Sequence, residues 1–382
     1  MAIEIAGELS VLKEKNLYRD LRIFERAPGR LMRINNNEYI NFSSNNYLGL
    51  SNHPAVKEAA IEAIHKFGAG ASASRLISGT LAVHAQLEQK LAEFKKCESA
   101  LVFPTGFQTS LGVITSLVSK EDAVILDRLC HASLIDAVRL SGAKLLVYPH
   151  VDYMQLDKVL HKLDMYKKKL VVTDGVFSMD GDVAPLNELS AVCKKYNAIL
   201  LVDDAHGTGV LGDYGRGSLE FLHVNDTHII VMGTLSKALG SQGGFVCGSK
   251  NVISLFINKA RSFIYTTGLN PGSCGAALQS LEIIKTEPLR RKNLLHNAEY
   301  LRDKLHRAGY NTLHSVTNII PVLIGDINET LNLSKKLMDN GIYCPAIRPP
   351  TVPNGLARLR VSLISDHTLE DIDTFVSILD KG

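Results

Sequence analysis

From about residue 98 onward the chain alternates short apolar runs with stretches in which apolar residues recur every three or four positions. The runs occupy 100–103, 123–126, 145–148, 170–173, 199–202, 228–232 and 245–247. Uninterrupted apolar runs of this length read as strands covered on both faces, and the stretches between them as helices. Strands and helices in such alternation predict an open, mostly parallel α/β sheet. Upstream, residues 54–67 read as a helix opened by Pro54 and closed by Gly68. A second helix is expected over 84–96. Residues 31–42 alternate like a hairpin around Asn35-Asn36-Asn37, and 43–50 form a polar hinge. Residues 1–20, with Glu4, Glu8, Lys13, Glu14 and Lys15, read as an amphipathic surface helix. Beyond Glu287 the pattern changes to α+β, with helices over 289–306 and 330–340 and strands over 319–324 and 357–362. The expected organisation is an N-terminal helix and hairpin (1–48), a large α/β domain (49–286) and a small α+β C-terminal domain (287–382) packed with the N-terminal segment.

Composition narrows this picture. The 382 residues are 46% hydrophobic and 21% charged, enough to bury a full core and unlike a disordered chain. A net charge of +3, spread evenly, gives no electrostatic footprint for nucleic acid. Six scattered cysteines without a C-x-x-C pair point to reduced thiols in a cytoplasmic protein, with neither a disulfide frame nor a metal site. The uncharged windows 100–119 and 262–281 are long enough for a bilayer, but proline, glycine and polar residues break them, so protein interior is expected and no membrane. The N-terminus lacks a signal-peptide pattern. Gly68 and Gly70 offer a G-x-G with no third glycine in register and no preceding strand, which excludes a dinucleotide fingerprint.

In open α/β sheets, ligands collect beyond the carboxyl ends of the strands, and here those ends are chemically loaded. The run 100–103 leads into Thr105-Gly106-Phe107, a turn into a helix whose free N–H groups suit a phosphate. After 123–126 comes His131; after 170–173, Asp174 through Ser178; after 199–202, Asp203-Asp204-Ala205-His206; after 228–232, Thr234 and Lys237. A pyridine aldehyde makes demands that this set can meet. Lys237 offers an amine to the aldehyde, and a carboxylate at a strand end can keep the ring nitrogen protonated. Asp203 is best placed for that, although Asp204 is adjacent; strand alternation turns the two to opposite faces, so only one serves. His206 can donate to the phenolic oxygen and His131 can cover the ring, while Gly106, Phe107 and Thr234 can hold the phosphate.

The order of motifs resembles the fold-type I pyridoxal-phosphate enzymes and, within them, the α-oxoamine synthases. It is carried by residues 41–50, His131-Ala132-Ser133, residues 176–181, residues 202–209 and Gly233-Thr234-Leu235-Ser236-Lys237, and it spans essentially the whole chain. The resemblance implies a homodimer with a shared active site that binds pyridoxal 5'-phosphate and condenses a small amino acid with an acyl thioester, losing CO2. It assigns Lys237 to the covalent tether, Asp203 to the ring nitrogen, His206 to the phenolic oxygen and His131 to the ring face. Ser178, Thr234, Gly106 and Phe107 fall at cofactor contacts, and Thr266 and Thr267 at the phosphate of the partner subunit. Arg348 would hold the amino-acid carboxylate; Arg19, Asn45 and Thr351 fall near the acyl substrate. The segment 346–353 looks most like members that join L-alanine to pimeloyl-CoA or a pimeloyl-acyl carrier protein; members using glycine and acetyl-CoA are the nearest alternative.

Overall fold

The computed structural model describes residues 2–14, 17–27 and 29–380. At its centre is a seven-stranded sheet. The spatial order is Ser99–Phe103, Gly244–Gly248, Ile230–Thr234, Ile199–Asp203, Lys169–Asp174, Ala123–Asp127 and Lys144–Tyr148. Every pairing is parallel except the two made by Gly244–Gly248, which runs antiparallel to both neighbours. Strand alternation feeds two cores. Val124 and Leu126 pack on one face beneath the helices Gly106–Leu117, Ala132–Ser141 and Lys250–Lys259; Ala123 and Ile125 pack on the other against Tyr153–Leu160 and Leu186–Lys195. Each such aliphatic side chain contributes about 1.5–3 kcal/mol on burial, so the sheet's position is fixed by packing on both sides.

The expected strands are all present, but several extend further than their apolar letters. Asp127, Asp174, Asp203 and Thr234 are the last residues of their strands. Asp174 pairs in register with Asp203, and Thr234 with Gly244. The strand expected at 228–232 is Ile230–Thr234, moved two residues toward the chemistry because Gly233 and Thr234 continue the ladder. Polar side chains at a strand's carboxyl end do not interrupt backbone pairing, which is what the apolar pattern cannot register.

The helix Pro54–Phe67 and its C-cap Gly68 lie where the pattern puts them, and the second helix runs Ala82–Lys95. The N-terminal hairpin pairs Leu31–Ile34 with Asn37–Asn41. Asn35 and Asn36 both take positive φ (48° and 63°), the backbone a two-residue hairpin turn demands. Ile342–Tyr343 joins this hairpin as a parallel third strand, so the N-terminal segment and the C-terminal region do share a sheet. A second small sheet combines Ile319–Gly325, Ala357–Ser362 and Ala346–Ile347, packed with the helices Leu289–Arg307, Ile327–Asp339 and Leu369–Asp380. The helix expected over 1–20 is shorter: it spans Ala2–Glu14, and its described side chains are exposed. Met1, Lys15 and Asn16 lie outside the described residues, and residues 17–20 belong to no helix or strand. The uncharged windows are mostly interior, apart from exposed positions such as Tyr265 and Thr267 in the second. The first folds into a strand and the helix Gly106–Leu117, the second into short segments and the buried helix Pro271–Thr286. Among the described residues no helix is long and apolar enough to cross a membrane.

Candidate active site

A cavity of about 210 Å³ opens beyond the carboxyl ends of the central strands. It is lined by Gly106, Phe107, His131, Asp203, His206, Thr234 and Lys237, together with Ser133, Asp174, Ala205, Met232 and Gly233. Seven residues singled out by sequence therefore meet in one place.

Each arrives for a local reason. Thr105 caps the helix Gly106–Leu117, its hydroxyl accepting the Gln108 N–H at 3.1 Å, which leaves the N–H groups of Gly106 and Phe107 without an intrahelical partner at the cavity. Thr109 and Gly106 press against Gly244 so closely that a Cβ there would overlap both, and this keeps the anion end of the pocket narrow. Thr234 donates its hydroxyl to the Gly243 carbonyl (2.9 Å) and accepts the Ser236 N–H (3.1 Å), shaping the turn that carries Lys237. His131 caps the helix Ala132–Ser141, its Nδ1 accepting the Ser133 N–H at 3.3 Å; the Ser133 hydroxyl lies 2.8 Å from the same nitrogen.

Asp203 and Asp204 part company at the strand end. Asp203 faces the cavity, its Oδ1 accepting the Ala205 N–H at 3.1 Å. Asp204 points away into a buried ion pair with Lys95 at 2.8 Å; the two side chains are 1% and 3% exposed. Lys95 also donates to Thr208 Oγ1 and the Arg216 carbonyl, and Asp204 accepts the Ser218 N–H. Gly175, Gly207 and Gly217 surround that carboxylate, and a Cβ on any of the three would overlap it. Of the two, Asp203 is the one that lines the cavity.

The polar groups form a relay. Lys237 Nζ lies 2.7 Å from His206 Nε2, His206 Nδ1 lies 2.6 Å from the Tyr47 hydroxyl, and Tyr47 donates to Asn45 Oδ1 at 3.1 Å. Burial lowers Lys237 to about 8, with Asp203 opposing the shift and Arg360 adding to it. Burial, with the charges of Lys237 and Arg360, also drives His206 well below the ordinary imidazole range. A neutral His206 has one donor and one acceptor nitrogen, so it can accept a hydrogen bond from Lys237 at Nε2 only if Nδ1 donates to Tyr47. The reverse tautomer, in which Tyr47 turns its one proton from Asn45 Oδ1 to Nδ1, frees Nε2–H to donate into the cavity.

The remaining expected residues are not in the lining of this pocket. Asn45 is joined to it through Tyr47 and is held also by Arg360 (3.4 and 3.5 Å). Ser178 is outside the lining, and its carbonyl accepts from Arg360 Nε. Thr266 lies beside the site, its hydroxyl 3.5 Å from Gln108 Nε2, and Thr267 is exposed and bridged to Ser74. Arg19 and Thr351 contact each other at 3.4 Å away from the cavity, and Arg348 reaches the Tyr18 carbonyl at 3.5 Å. The structure does not bring these three to Lys237.

Sequence reasoning missed Arg360, Tyr47 and the lining role of Asp174. Arg360 is 8% exposed in the wholly buried strand Ala357–Ser362, where Arg358 and Arg360 alternate with apolar residues. Two arginines on one face of an otherwise apolar strand are a readable signal, because such groups are buried only against partners. Arg358 pairs with Asp180, so both guanidiniums grip the loop that carries Ser178.

His150 grips the same loop from below. Its two ring nitrogens contact Asp127 Oδ1 (2.9 Å) and Asp182 Oδ2 (2.8 Å). Burial alone would lower this imidazole, but the two carboxylates override it and hold it at about 10. A raised folded value means the stabilisation is complete below the ordinary pKa near 6.5 and is lost as pH rises through about 10. Discounted for partial exposure, the effect is roughly 2–3 kcal/mol. Denaturant midpoints are therefore expected to fall between pH 7 and 10, and His150→Gln should flatten that slope while lowering stability at pH 7.

With this geometry in view, comparison with known proteins is decisive. Residues 37–379 match the family described as aminotransferase class I and II. The chain belongs to that family. The 8-amino-7-oxononanoate synthase of Geobacter sulfurreducens is 45% identical over 382 residues, covering 99% of this chain and 97% of that protein. That of Lysinibacillus sphaericus is 44% identical over 374 residues, covering 98% and 96%. Among solved structures, the serine palmitoyltransferase of Sphingomonas wittichii superposes with a TM-score of 0.92 at 34% identity, covering 99% of this chain and 95% of that one. A serine palmitoyltransferase with its pyridoxal-phosphate cofactor bound gives 0.93 at 33%, covering 99% and 96%. The relatives of this aminotransferase-family chain are thus α-oxoamine synthases, as its motifs led one to expect.

Proposed function

We propose that this chain condenses L-alanine with a pimeloyl thioester, carried on coenzyme A or on acyl carrier protein, giving 8-amino-7-oxononanoate, CO2 and the free thiol. The observation that carries the reading is Lys237, a buried amine lowered to about 8, in one cavity with Asp203. Relatives of that name at 44–45% identity over nearly the whole chain supply the substrates.

The donor set fits pyridoxal 5'-phosphate: an amine, a buried carboxyl, an imidazole on the covering side and unpaired N–H groups beside a threonine hydroxyl. Bound here, the cofactor supplies an aldehyde for the amine and a ring that accepts the electrons left at the α-carbon. Asp203 holds the proton of the ring nitrogen. His206, as the Nε2–H tautomer, donates to the phenolic oxygen, with the Tyr47 hydroxyl turning its one proton from Asn45 Oδ1 to His206 Nδ1. The N–H groups of Gly106 and Phe107 take the phosphate, joined by the Thr234 hydroxyl once it turns from the Gly243 carbonyl. Lys237, half deprotonated near pH 8, is poised to withdraw the α-proton once it is free. The buried Arg360, whose charge acts on Lys237, and Arg348, once brought in from its contact with Tyr18, are the guanidiniums for a substrate carboxylate. Arg19, Asn45 and Thr351 border the acyl path.

The working unit in this reading is a homodimer with a shared site, in which Thr266 and Thr267 reach the phosphate held by the partner subunit. Its support is the exposed apolar surface around them: Ile77 is 82% and Tyr265 70% exposed, and the Ser74–Thr267 bridge ties their segments together.

The test is thiol release with L-alanine, glycine and L-serine, each against pimeloyl-CoA, pimeloyl-acyl carrier protein and acetyl-CoA. Alanine with a pimeloyl donor is expected to exceed glycine with acetyl-CoA by at least about tenfold, the discrimination one or two buried methylenes supply. Preference for glycine and acetyl-CoA would replace this assignment.

A further inference from the structure

A second carboxyl group lines the cavity and has no part in the assignments above. Asp174 ends the strand Lys169–Asp174 and pairs in parallel register with Asp203, so the two side chains leave the sheet side by side into the same space. Adjacent strands lie about 4.8 Å apart. Both residues are buried, Asp174 at 3% and Asp203 at 8% exposure. Asp203 has the better support for a charge, with the Ala205 N–H on its Oδ1 and Lys237 and His131 nearby. The Asp174 carboxylate accepts one hydrogen bond among the described residues, from the main-chain N–H of His131 at 3.3 Å. That bond fixes the residue whose imidazole lies over the cavity and whose side chain caps the following helix.

We propose that Asp174 is a positioning residue of the ring seat: it anchors His131 through the main chain and, in its uncharged form, flanks Asp203 so that the seat carries one negative charge. The groups that face Asp174 decide its state. On the adjacent strand to one side stands Asp203; on the adjacent strand to the other is Asp127, itself committed to His150; below lies the thiol of Cys130, bonded to the Val172 carbonyl; and Lys237, the cation acting on Asp174 among the described residues, is shared with Asp203. Two buried carboxyls facing one shared ammonium do not both ionise; Asp203 has the shorter hydrogen bond (3.1 against 3.3 Å) and Lys237 as its leading neighbouring charge, whereas the leading charge on Asp174 is Asp203 itself, so Asp174 keeps the proton. Burial first, and then the charge of Asp203, hold Asp174 well above the ordinary carboxyl range. A neutral neighbour leaves the Asp203 charge focused on the ring nitrogen.

This inference rests on the assignment of Asp203 and His131 to the cofactor, and the test separates the two. Dissociation constants of pyridoxal 5'-phosphate would be measured for wild type, Asp203→Asn, Asp174→Asn and Asp174→Ala at pH 7.5, with bound-cofactor spectra titrated to alkaline pH. Asp174→Asn, which keeps the acceptor for His131 and imitates a neutral acid, is expected to weaken binding no more than threefold. Asp174→Ala, which removes that acceptor, should weaken it at least tenfold. Wild type should show an alkaline spectral transition, as Asp174 ionises beside the ring, that is missing from Asp174→Asn. A purely structural role would leave the alkaline transition in place, and that result overturns the proposal. Equal, large losses in both Asp174 variants would show that a charged carboxylate is required, and wild-type affinity in Asp174→Ala would show that it anchors nothing; either also overturns it. If Asp174→Ala fails to fold, Asp174→Asn and its titration decide alone. Asp203→Asn reports on the underlying assignment: an unaltered spectrum and affinity there would remove the ring seat itself, whatever Asp174 does.

Discussion

With Lys237 replaced by alanine, the visible absorbance of bound cofactor disappears and turnover falls by on the order of 10⁴-fold, the upper end of what one positioned proton-transfer group contributes. The size of the effect follows from its setting. The amine is buried, sits 2.7 Å from His206 Nε2, and is held near 8 by burial, so a substantial fraction is the free base at neutral pH. Among the described residues no other lysine lines the cavity to take its place. Reconstitution of cofactor-free protein should accordingly quicken as pH rises through about 8, because only the neutral amine attacks an aldehyde. A Lys237→Ala protein that stayed coloured and active would remove the central assignment.

The neighbouring aspartates give the second large expectation, and they should differ in kind. Asp203→Asn lowers turnover by about 10³-fold, comparable with loss of a preorganised electrostatic partner, with little change in melting temperature. Asp204→Asn breaks the buried pair with Lys95 and strands an ammonium that is 3% exposed. Breaking a buried pair costs about 3–5 kcal/mol, so the second variant is expected to lose stability first and activity only as a consequence. Thermal melts and steady-state rates on both variants separate the cases; a stable, inactive Asp204→Asn would reverse the assignment.

Much of this was visible in the sequence because strand ends combine two independent signals. An apolar run locates the strand, and the first polar residue after it locates the ligand side. That logic reached Gly106, Phe107, His131, Asp203, His206, Thr234 and Lys237, all of which line the cavity. It passed over Arg360 because that residue comes from the small C-terminal sheet, whose relation to the large sheet depends on packing and not on local pattern. Tyr47 escaped for a similar reason: it lies in an irregular segment and acts through His206. Asp174 was in view as a strand-end acid, but its role depends on register with Asp203, which no single run reveals. Arg19, Arg348 and Thr351 came only from resemblance, and in this structure they meet the N-terminal segment away from Lys237.

The three glycines around Asp204 bind the history of four positions together. At Gly217 the backbone itself, at φ 107°, disfavours any side chain. At Gly175 and Gly207 the backbone would accept alanine, a change that usually stiffens the unfolded chain and stabilises a protein by about 0.4–1 kcal/mol. Here a methyl group would meet the carboxylate instead. Neither site can drift while that acid stays, and the acid cannot be lost without orphaning Lys95, so the segment beneath the chemistry changes as a set or not at all.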